Sequence, residues 1–431
     1  MNTLDLLYMT GAAAMSPWLL RKSRGDWKAR LGHAEPLTPP APGRPRVMLH
    51  AVSVGEVNAL RSLVPILAAR CEVVVSVGTD TGIARARTLY GGNGGTGTGL
   101  GEGVARVVRY PLDFSRSVAR FLDAVKPDLV ALVELEVWPN FIRACVERGV
   151  PVGVINGRLS ERSFRGYRRV RGLLRRTFAS LDFAAVQDGD YRDRFVAMGV
   201  PVDRCVVTGS MKWDAAPLVR AGEAGEAARA LARAMGLDRG GGPLIVAGST
   251  AEDEEALLHA ACPPGARLLC APRKPERFDE AARAMPGCVR RTAGRPGEGG
   301  ATRFLLDTIG ELRSAYEMAD VVVMGRSFGR LYGSDPIEPA ALGKPVLIGP
   351  AFKDFESIVR EMQRRGAIVV SSRATLARDL AGLTGDGDER RRLGEAALAC
   401  VAANRGVSAR HAAMILERVG VAASGGEGPA V

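Results

Sequence analysis

Histidine and aromatic residues are scarce in this chain of 431 residues, and its cysteines follow no pairing pattern. The four histidines are not at the spacing of zinc or haem ligands, so such a site is not expected. The seven cysteines form no C-x-x-C pair, which disfavours a metal cluster or a disulfide framework and suits a reducing cytosol. Aromatic residues are 5% of the chain and do not alternate with basic runs, which disfavours stacking on nucleic acid. The sequence therefore predicts no metal, no cofactor and no nucleic-acid partner.

A long uninterrupted apolar run is also absent. Leu4 to Leu20 is mostly apolar but contains Asp5, Gly11 and Pro17, and a membrane span needs about 20 apolar residues. Basic residues follow at once and would keep the rest of the chain in the cytoplasm, whereas a cleaved signal peptide has the reverse order. These basic residues are Arg21, Lys22, Arg24, Lys28 and Arg30. We predict that residues 1–35 form an anchor or interfacial helix with a basic segment, on the cytoplasmic face of the inner (plasma) membrane. A buried first helix is the alternative.

Positive charge is what the chain has in excess. Lysine and arginine number 59 against 47 aspartates and glutamates, a formal net charge of +12. Strongly basic proteins usually meet phosphates, either on nucleic acid or on an anionic membrane surface. Because the sequence disfavours nucleic acid, an anionic membrane surface is the expected partner. Arginines spread over solvated faces are the alternative.

Strands and helices alternate in two blocks, at residues 46–215 and 243–420, with a linker at 216–242 and a tail at 421–431. In the first block the predicted strands are Arg46–Ala51, Glu72–Val77, Ala105–Tyr110, Leu129–Val133, Val152–Ile155 and Phe183–Val186. In the second block they are Leu244–Ala247, Ala266–Ala271, Phe304–Leu306, Val321–Met324, Val346–Ile348 and Ile368–Val370, followed by one helix at Gly394–Gly420. Such alternation predicts mostly parallel sheets covered on both faces. Two such blocks predict an α/β fold of the GT-B type, in which two Rossmann-like domains face a ligand cleft.

Two acidic motifs directly follow predicted strands. HAVSVGE (His50–Glu56) runs from a strand through a turn into a helix, which puts Glu56 at a strand end near a helix N-terminus. A carboxylate there can act as a general base, or can simply be favoured by the helix dipole. VELEVWPN (Val133–Asn140) has Glu134 and Glu136 one residue apart, and they point the same way if both keep strand geometry. An acidic first helical turn is the alternative for this pair.

Further motifs extend along the whole chain. They are INGRLSERS (Ile155–Ser163), TGSMKWD (Thr208–Asp214), GST (Gly248–Thr250), PRKPERF (Pro272–Phe278), DTIGEL (Asp307–Leu312) and IEPAALGKPVLIGP (Ile337–Pro350). Together with the two acidic motifs they occur in the order seen in 3-deoxy-D-manno-octulosonic acid (Kdo) transferases. The chain resembles that family over nearly its full length, and so many ordered motifs are specific where one alone is weak.

The resemblance implies an activity and a set of site residues. It implies metal-independent transfer of Kdo from CMP-Kdo to a lipid A precursor, with inversion at the anomeric carbon, in lipopolysaccharide synthesis. Glu56 resembles the family's proton acceptor, and Glu134 and Lys212 resemble residues that stabilise the transition state. The positions that match CMP-binding residues are Arg273, Lys274, Gly310, Glu311, Leu312, Asp335, Pro336, Ile337 and Glu338.

The chemistry of these residue types agrees with the resemblance. Without a divalent metal, the leaving phosphate needs other positive charge, which the planar fork of Arg273 and the amides of helix N-termini can supply. A carboxylate such as Glu338 can accept hydrogen bonds from ribose hydroxyls. The first domain is thus expected to bind the acceptor and the second to bind the nucleotide sugar.

The chain departs from the family pattern near the expected donor site. Gly333-Ser334-Asp335 stands where the family commonly has Gly-Gly-His-Asn, Gly325-Arg326 replaces a double glycine, and Arg273-Lys274 replaces Arg-His. A carboxylate at Asp335 would repel phosphate, so it should face ribose, cytosine or solvent. These changes concern donor recognition rather than the fold.

Two other functions stay open at this point. A GT-B enzyme with another donor, such as a hexosaminyl transferase or a sugar-nucleotide epimerase, would not require Glu56, Glu134 and Lys212 together. A non-catalytic binding protein with the same fold is the second alternative, since a fold alone does not establish chemistry. The intact carboxylates and Lys212 argue against it.

Overall fold

The computed structural model describes residues 5, 6, 8, 10, 25–91, 104–216, 218, 225–238, 241–293 and 300–421. The chain divides into two compact units. Unit 1 comprises Met1–Ala215 and Gly406–Val431, and unit 2 comprises Ala216–Arg405. Each unit contains a seven-stranded sheet whose described strand pairs are all parallel.

The sheet of unit 1 has the strand order β3-β2-β1-β4-β5-β6-β7. Its strands are β1 (Arg46–Ala51), β2 (Glu72–Val77), β3 (Arg106–Arg109), β4 (Leu129–Val133), β5 (Val152–Gly157), β6 (Phe183–Val186) and β7 (Cys205–Val207). Its first helices are α1 (Trp27–Arg30), α2 (Val54–Ala59), α3 (Leu63–Ala68), α4 (Asp80–Tyr90), α5 (Ser115–Val125), α6 (Pro139–Glu147), α7 (Glu161–Arg169), α8 (Arg171–Ala179) and α9 (Gly189–Met198). The order reverses between β1 and β4, so these strands flank the switch point where ligands bind in doubly wound sheets.

The core of unit 1 lies on both faces of its sheet. Along β1, Val47, Leu49 and Ala51 join one apolar cluster, whereas Met48 joins the cluster on the opposite face. This is the alternation that a strand imposes, and helices cover both faces, so the side chains of the central strands β1 and β4 are buried and mostly apolar.

Unit 2 repeats the plan with the strand order β10-β11-β9-β8-β12-β13-β14, and its switch point lies between β8 and β12. Its strands are β8 (Leu244–Thr250), β9 (Arg267–Pro272), β10 (Val289–Arg290), β11 (Arg303–Leu305), β12 (Val321–Met324), β13 (Val346–Ile348) and β14 (Val369–Val370). Its helices are α10 (Glu226–Met235), α11 (Glu254–Ala261), α12 (Phe278–Ala284), α13 (Leu312–Met318), α14 (Ile337–Ala341), α15 (Glu356–Arg364), α16 (Leu376–Gly385) and α17 (Gly387–Asn404).

The end of the chain returns to unit 1, which differs from the prediction of one helix at Gly394–Gly420 within a domain at 243–420. Helix α17 stops at Asn404, and α18 (Val407–Arg418) starts after Gly406, whose φ of 84° is the left-handed conformation that glycine adopts most readily. The Asp214 carboxylate accepts hydrogen bonds from the backbone N–H groups of Gly406 (2.7 Å) and Ser408 (2.6 Å). Residues on α18 then pack in the unit 1 core, so the predicted end of the second domain is wrong.

Most of the predicted N-terminal helix, Leu4–Leu20, lies outside the described residues. At the described positions the segment contacts unit 1: Asp5 is 2% exposed, and its Oδ1 accepts hydrogen bonds from the Ser115 N–H (2.9 Å) and the Asn140 amide (3.2 Å). Tyr8 donates its hydroxyl hydrogen to Asp113 (2.9 Å). These contacts are what a buried first helix predicts. Among the helices that the structure describes, none is long and apolar enough to cross a membrane.

Candidate active site

The loops after β1 and β4 carry the two acidic motifs to the switch point of unit 1. Glu56 lies beyond the end of β1, and Glu134 directly follows β4. The two strands are adjacent, with His50 opposite Leu132. The carboxyl ends of neighbouring parallel strands meet at one edge of a sheet, so both acids reach the same crevice.

Glu56 is held by the first turn of α2. Its Oε2 accepts a hydrogen bond from the Val52 N–H (2.7 Å), and its Oε1 accepts one from the Ser53 hydroxyl (2.8 Å). Ser53 is the N-cap of α2 and accepts in return from the Glu56 N–H, a capping-box arrangement. Burial raises the pKa of Glu56 against the lowering effect of these hydrogen bonds, and the Glu134 charge raises it further. Glu56 therefore combines a capping role with the raised pKa that suits a general base.

Glu134 adopts a backbone conformation that is rare for a residue with a side chain. Its φ is 61°, and its N–H donates to the Ile155 carbonyl at 3.0 Å. A left-handed conformation at such a residue costs roughly 1 kcal/mol or more and often marks a functional site. Because β4 ends at Val133, Glu134 and Glu136 do not share strand geometry, and the condition under which they would point the same way is not met.

Glu136 nevertheless lies close to the other two acids. Burial raises the pKa of Glu136 to about 7, the charges of Glu56 and Glu134 add to this, and a hydrogen bond from the Trp138 indole N–H (2.9 Å) opposes it. We call Glu56, Glu134 and Glu136 the carboxylate cluster. Sequence reasoning noted Glu136 but did not include it among the site residues, although the nearby Trp138 was a signal.

Within the described residues, no group of three or more His, Cys, Asp or Glu side chains is arranged to hold a metal ion.

A cavity of about 600 Å³ adjoins the carboxylate cluster, and sequence reasoning did not identify it. Its lining includes Arg30, His50, Thr79, Asp80, Tyr110, Asp113, Glu136 and Trp138. Arg30 precedes β1, His50 lies within it, and the others follow β2, β3 or β4, so no single motif marks them. Arg30 is buried here and bonds Asp80 at 2.9 Å, so one residue of the basic segment predicted at 1–35 belongs to the fold of unit 1.

His50 and Tyr110 give this cavity two buried polar atoms. Their rings stack with centroids 3.6 Å apart, and burial lowers the pKa of His50 to about 3, so the imidazole is neutral near pH 7. The His50 Nδ1 lies 3.2 Å from the Ser76 carbonyl oxygen, which can only accept, so Nδ1 carries the hydrogen and Nε2 is an acceptor. Within the described part of the chain, neither His50 Nε2 nor the Tyr110 hydroxyl has a hydrogen-bond partner.

Lys212 lies on a turn that returns from the sheet edge towards the switch point. After β7 the chain forms a 3-10 turn at Met211–Asp214. The Met211 N–H donates to the Asn156 side chain at the end of β5 (3.0 Å), and the Ser62 hydroxyl donates to the Asp214 carbonyl (3.1 Å). The Glu134 N–H donates to the carbonyl of Ile155, the residue before Asn156. Glu134 and the Lys212 turn are therefore both hydrogen-bonded to the end of β5.

In unit 2, Arg273 and Lys274 directly follow β9, and both are exposed. The Arg273 N–H donates to the carbonyl of Thr250 at the end of β8 (3.0 Å). The predicted phosphate-binding side chains therefore project at the carboxyl edge of the sheet, beside its switch point.

Gly310, Glu311 and Leu312 form the start of α13. Gly310 has a φ of 95°, so the turn into the helix favours glycine. The Glu311 carboxylate accepts hydrogen bonds from the Thr308 hydroxyl and the Arg291 guanidinium (3.2 Å), which fixes the turn.

Asp335 to Glu338 form the start of α14. Asp335 Oδ1 accepts a hydrogen bond from the Ile337 N–H (3.0 Å), so this oxygen faces the helix N-terminus. Pro336 precedes the helix, and burial raises the pKa of Glu338, with Arg313 opposing and Asp335 adding to the shift. The sequence predicted that Asp335 faces ribose, cytosine or solvent, but it did not predict this hydrogen bond at the start of α14.

A buried tyrosine lies near these loops. Burial raises the pKa of Tyr316 on α13, the charges of Glu338 and Asp335 raise it further, and Arg273 lowers it. Two of the loops predicted to bind the donor therefore carry charges within electrostatic reach of this ring, which lies on the helix that Gly310, Glu311 and Leu312 begin. Gly248 makes room for it, since a Cβ there would lie 1.9 Å from the Tyr316 hydroxyl oxygen.

Glu254 is a structural residue that sequence reasoning missed. Its buried carboxylate accepts hydrogen bonds from the backbone N–H groups of Ala251, Arg326, Ser327 and Phe328. It therefore ties the loop after β8 to the loop after β12. Arg326, at the departure from the family's double glycine, has a φ of 61°, a conformation that glycine adopts without strain.

Comparison with known proteins agrees with this geometry. The family model "3-Deoxy-D-manno-octulosonic-acid transferase (kdotransferase)" matches residues 25–215. A 3-deoxy-D-manno-octulosonic acid transferase of Bordetella pertussis is 34% identical over 419 residues, covering 91% of this chain and 93% of that protein. The Haemophilus influenzae transferase of that name is 29% identical over 389 residues, covering 86% of each chain.

Solved structures of other enzymes share the fold. A UDP-GlcNAc 2-epimerase from Neisseria meningitidis, bound to UDP-GlcNAc, superposes with a TM-score of 0.56 at 13% identity, over 87% of this chain and 99% of that one. A putative UDP-N-acetylglucosamine 2-epimerase from Listeria monocytogenes gives 0.56 at 14% identity, over 87% and 96%. At such identities the likeness concerns the fold alone.

The fold is therefore the two-domain, GT-B-like α/β fold with parallel sheets, as the sequence predicted, and the molecule is a glycosyltransferase. The chain belongs to the 3-deoxy-D-manno-octulosonic acid (Kdo) transferase family, since it is 34% identical to the Bordetella pertussis transferase over 91% of its length. The alternatives of another donor class or a non-catalytic binding protein are not favoured.

Proposed function

We propose that this protein transfers Kdo from CMP-Kdo to a lipid A precursor, with inversion at the anomeric carbon, in lipopolysaccharide biosynthesis. We place the reaction at the cytoplasmic face of the inner membrane. Membership of the Kdo transferase family supports Kdo as the transferred group. The observation that carries the mechanism is the carboxylate cluster at the switch point of unit 1, where burial and neighbouring charges raise the pKa of Glu56 and Glu136.

Glu56 is the proposed general base. Its carboxylate takes the proton of an acceptor hydroxyl, whose oxygen then forms a bond to the anomeric carbon of Kdo. The bond between that carbon and the CMP phosphate breaks, and CMP leaves with the electron pair. A single displacement of this kind inverts the anomeric centre. The raised pKa of Glu56 makes it a stronger base near neutral pH than an exposed glutamate.

Glu134 and Lys212 are proposed to act on charge that develops during transfer. The anomeric carbon gains positive character as the bond to phosphate breaks, and a fixed carboxylate such as Glu134 stabilises it. The Lys212 ammonium counters the negative charge of the Kdo carboxylate or the departing phosphate. The backbone hydrogen bonds of both residues to the end of β5 support this assignment, because such groups act best when they are fixed in advance.

Unit 2 is proposed to bind CMP-Kdo without a divalent metal. Arg273 and Lys274 supply positive charge to the phosphate, and the backbone at Gly310, Glu311 and Leu312 offers amides at the start of α13. The loop of Asp335, Pro336, Ile337 and Glu338 would contact the nucleoside, with Glu338 accepting from ribose hydroxyls. Arg273, Asp335 and Glu338 all lie within electrostatic reach of Tyr316 on α13, which supports a common ligand.

The cavity beside the carboxylate cluster is the proposed site of the acceptor sugar. The His50 Nε2 can accept a hydrogen bond from a sugar hydroxyl, and the Tyr110 hydroxyl can donate one. Trp138, which is 40% exposed, offers an aromatic face against which a sugar ring can pack. A sugar hydroxyl held there lies beside the cluster.

Product masses test the proposal. Purified protein is incubated with CMP-Kdo and a lipid A precursor, with and without excess chelator. We expect a lipid product heavier by one or more Kdo residues, with one CMP released per Kdo added and no effect of the chelator. CMP release without a Kdo-bearing lipid, or product formation only with another nucleotide sugar, would contradict the proposal. Loss of activity on chelation would contradict its metal independence.

A further inference from the structure

Helices α7 and α8 present an exposed surface rich in arginine. The exposed arginines are Arg162, Arg165, Arg168, Arg169, Arg171, Arg175 and Arg176. Two aliphatic side chains lie among them, Val170 at 49% and Leu173 at 53% exposure. We call these nine residues the α7–α8 face.

Acidic side chains do not balance this surface. Glu161 is the one acid of the two helices, and it pairs with Arg165 (2.9 Å) and Arg194 (3.5 Å). Within the described ranges, no acid forms an ion pair with the other six arginines of the face. The neighbouring α9 has equal numbers of aspartates and arginines and does not supply the missing negative charge.

Exposed arginines on two helices of unit 2 are paired with acids. On α15 and α17, Arg360 pairs with Glu356 (2.6 Å) and Arg392 with Glu389 (2.6 Å), each within its own helix. The alternative of arginines spread over solvated faces therefore explains α15 and α17, where acids pair with the arginines. It does not explain the α7–α8 face, where most of the arginines form no ion pair with an acid of the described residues.

The face is a fixed part of unit 1 rather than an unpacked segment. The opposite side of α8 buries Leu174 and Phe178, and the Phe178 ring contacts Phe195 of α9 at a centroid distance of 6.0 Å. The apolar residues needed for folding are thus already covered, and Val170 and Leu173 remain outside the core.

Helix α7, which carries part of this face, also lies near the carboxylate cluster. Helix α7 begins just after the end of β5, with Ser160 as its N-cap. Burial raises the pKa of Tyr167 on α7, and the Glu136 charge adds to the shift, so this helix lies within electrostatic reach of the cluster.

We propose that the α7–α8 face docks unit 1 on an anionic lipid bilayer. The arginines bind lipid phosphates, and Val170 and Leu173 enter the interface between headgroups and acyl chains. The inference rests on the proposed function, because an acceptor with a lipid anchor would then meet the carboxylate cluster at the membrane surface. Nucleic acid fits less well, since Phe164 and Tyr167 are half-buried and Phe178 is buried, which leaves few rings for stacking.

Vesicle binding by the full chain tests the proposal. Binding is measured by co-sedimentation with vesicles of phosphatidylglycerol and phosphatidylethanolamine, and with phosphatidylcholine vesicles as the neutral reference. The test variant is Arg168→Gln/Arg169→Gln/Arg171→Gln/Arg176→Gln. The control is Arg360→Gln/Arg364→Gln/Arg365→Gln/Arg392→Gln, which removes the same charge from unit 2. We expect binding of the test variant to anionic vesicles to weaken by roughly tenfold or more, and that of the control by less than about twofold.

Several outcomes would overturn the docking proposal. Unchanged binding of the test variant, or equal losses in both variants, would show that the face has no special role. Preferential binding of wild type to single-stranded nucleic acid, lost in the test variant, would identify a different partner. If the test variant does not fold, Val170→Glu/Leu173→Glu replaces it with the same expectation.

A transfer assay separates this proposal from the proposed function. With detergent-dispersed acceptor, the test variant should retain wild-type turnover while losing vesicle binding. Absence of Kdo transfer by wild type, with vesicle binding intact, would contradict the proposed function and leave the docking surface standing. A loss of turnover in detergent equal to the loss of vesicle binding would instead place these arginines in the active site and overturn the docking proposal.

Discussion

The three acids of the carboxylate cluster act on one another, yet each is held differently. Glu56 is fixed by the capping box of α2, Glu134 by its left-handed backbone, and Glu136 by the Trp138 indole. Burial and neighbouring like charges raise the pKa of Glu56 and of Glu136, so these two carboxyl groups retain protons to a higher pH than exposed glutamates do. This coupling gives the proposed base a pH dependence that mutation can reveal.

The pH profile of Glu136→Gln tests this coupling. A general base must be ionised, so kcat/KM should fall as pH falls through the pKa values of Glu56 and Glu136, and burial raises the pKa of Glu136 to about 7. The Glu56 charge helps to raise the pKa of Glu136, so the coupled pair keeps its last proton up to about pH 7, and without the Glu136 carboxyl group the acid limb should move to lower pH. Glu147→Gln, at an exposed position of α6, is the control and should leave the profile in place. An acid limb at the same pH as in the wild type, or at higher pH, would show that the Glu136 carboxyl group is not coupled to the ionisation of the base.

Lys212→Ala tests whether a fixed cation accelerates transfer. A group that acts mainly on charge in the transition state changes turnover more than substrate binding, so kcat should fall by roughly two orders of magnitude or more. The Michaelis constant for CMP-Kdo should change far less. Lys353→Ala, at an exposed lysine of unit 2, should have wild-type kinetics. Turnover of Lys212→Ala equal to wild type would remove this lysine from the mechanism.

The sequence predicted some of these residues and not others, for physical reasons. Glu56 follows a strand in a motif, so its location at the switch point could be inferred. The left-handed backbone of Glu134 has no local signature, because only glycine and asparagine mark such positions clearly. The cavity residues Arg30, His50 and Tyr110 come from distant parts of the chain, and the sheet order alone brings them together.

At the scale of elements, α18 shows how one side chain organises a distant segment. The Asp214 carboxylate binds two N–H groups at the start of α18 and belongs to the same turn as Lys212. The helix N-terminus leaves such groups without helical partners, and a carboxylate also suits the helix dipole. The return of the chain to unit 1 is thus coupled to the Lys212 turn.

Asp214→Ala should destabilise unit 1. Two N–H groups lose their acceptor, which costs about 1–3 kcal/mol, whereas Asp214→Asn retains one oxygen and should cost less. Thermal unfolding measures the difference, with Asp388→Ala as the control, since Asp388 is an exposed acid at the start of α17. If Asp214→Ala unfolds at the wild-type temperature, the cap of α18 contributes nothing to stability.

Strands were easier to predict than the ends of elements. Apolar β-branched runs such as Glu72–Val77 and Leu129–Val133 are strands with the predicted bounds, because both faces of a parallel sheet are buried. Strand β10 has only Val289 and Arg290, too short for any periodic pattern. The sequence did not predict the break between α17 and α18, because residues typical of helices lie on both sides of it. The hydrogen bonds that hold the start of α18 are accepted by Asp214, which lies in a distant part of the chain.

At the scale of the whole molecule, the two-unit plan followed from two blocks of strand–helix alternation. The boundary near residue 215 agrees with the division of the chain, whereas the end of the second unit does not, because α18 crosses back to unit 1. Local patterns report where an element lies in the sequence but not the unit on which it packs. The N-terminal segment presents the same problem, since its contacts with unit 1 are invisible in its own pattern.

Asp5→Ala tests whether the N-terminal segment is part of the folded body. The substitution leaves the Ser115 N–H and the Asn140 amide without this acceptor, which should cost about 1–3 kcal/mol and lower the unfolding temperature. Leu6→Ala is the matched control, because Leu6 is 58% exposed and should change stability little. A large effect of Leu6→Ala with none of Asp5→Ala would contradict the packing of this segment on unit 1.

The proposed mechanism depends most directly on Glu56 as the base, and single-turnover transfer by Glu56→Gln measures that role. Glutamine keeps an oxygen that can cap α2 but removes the basicity, so thermal stability and CMP binding should remain close to wild type. Transfer of Kdo should fall by about 100- to 10,000-fold. A variant that transfers Kdo within a few-fold of the wild-type rate would contradict the mechanism and leave Glu56 as a helix cap alone.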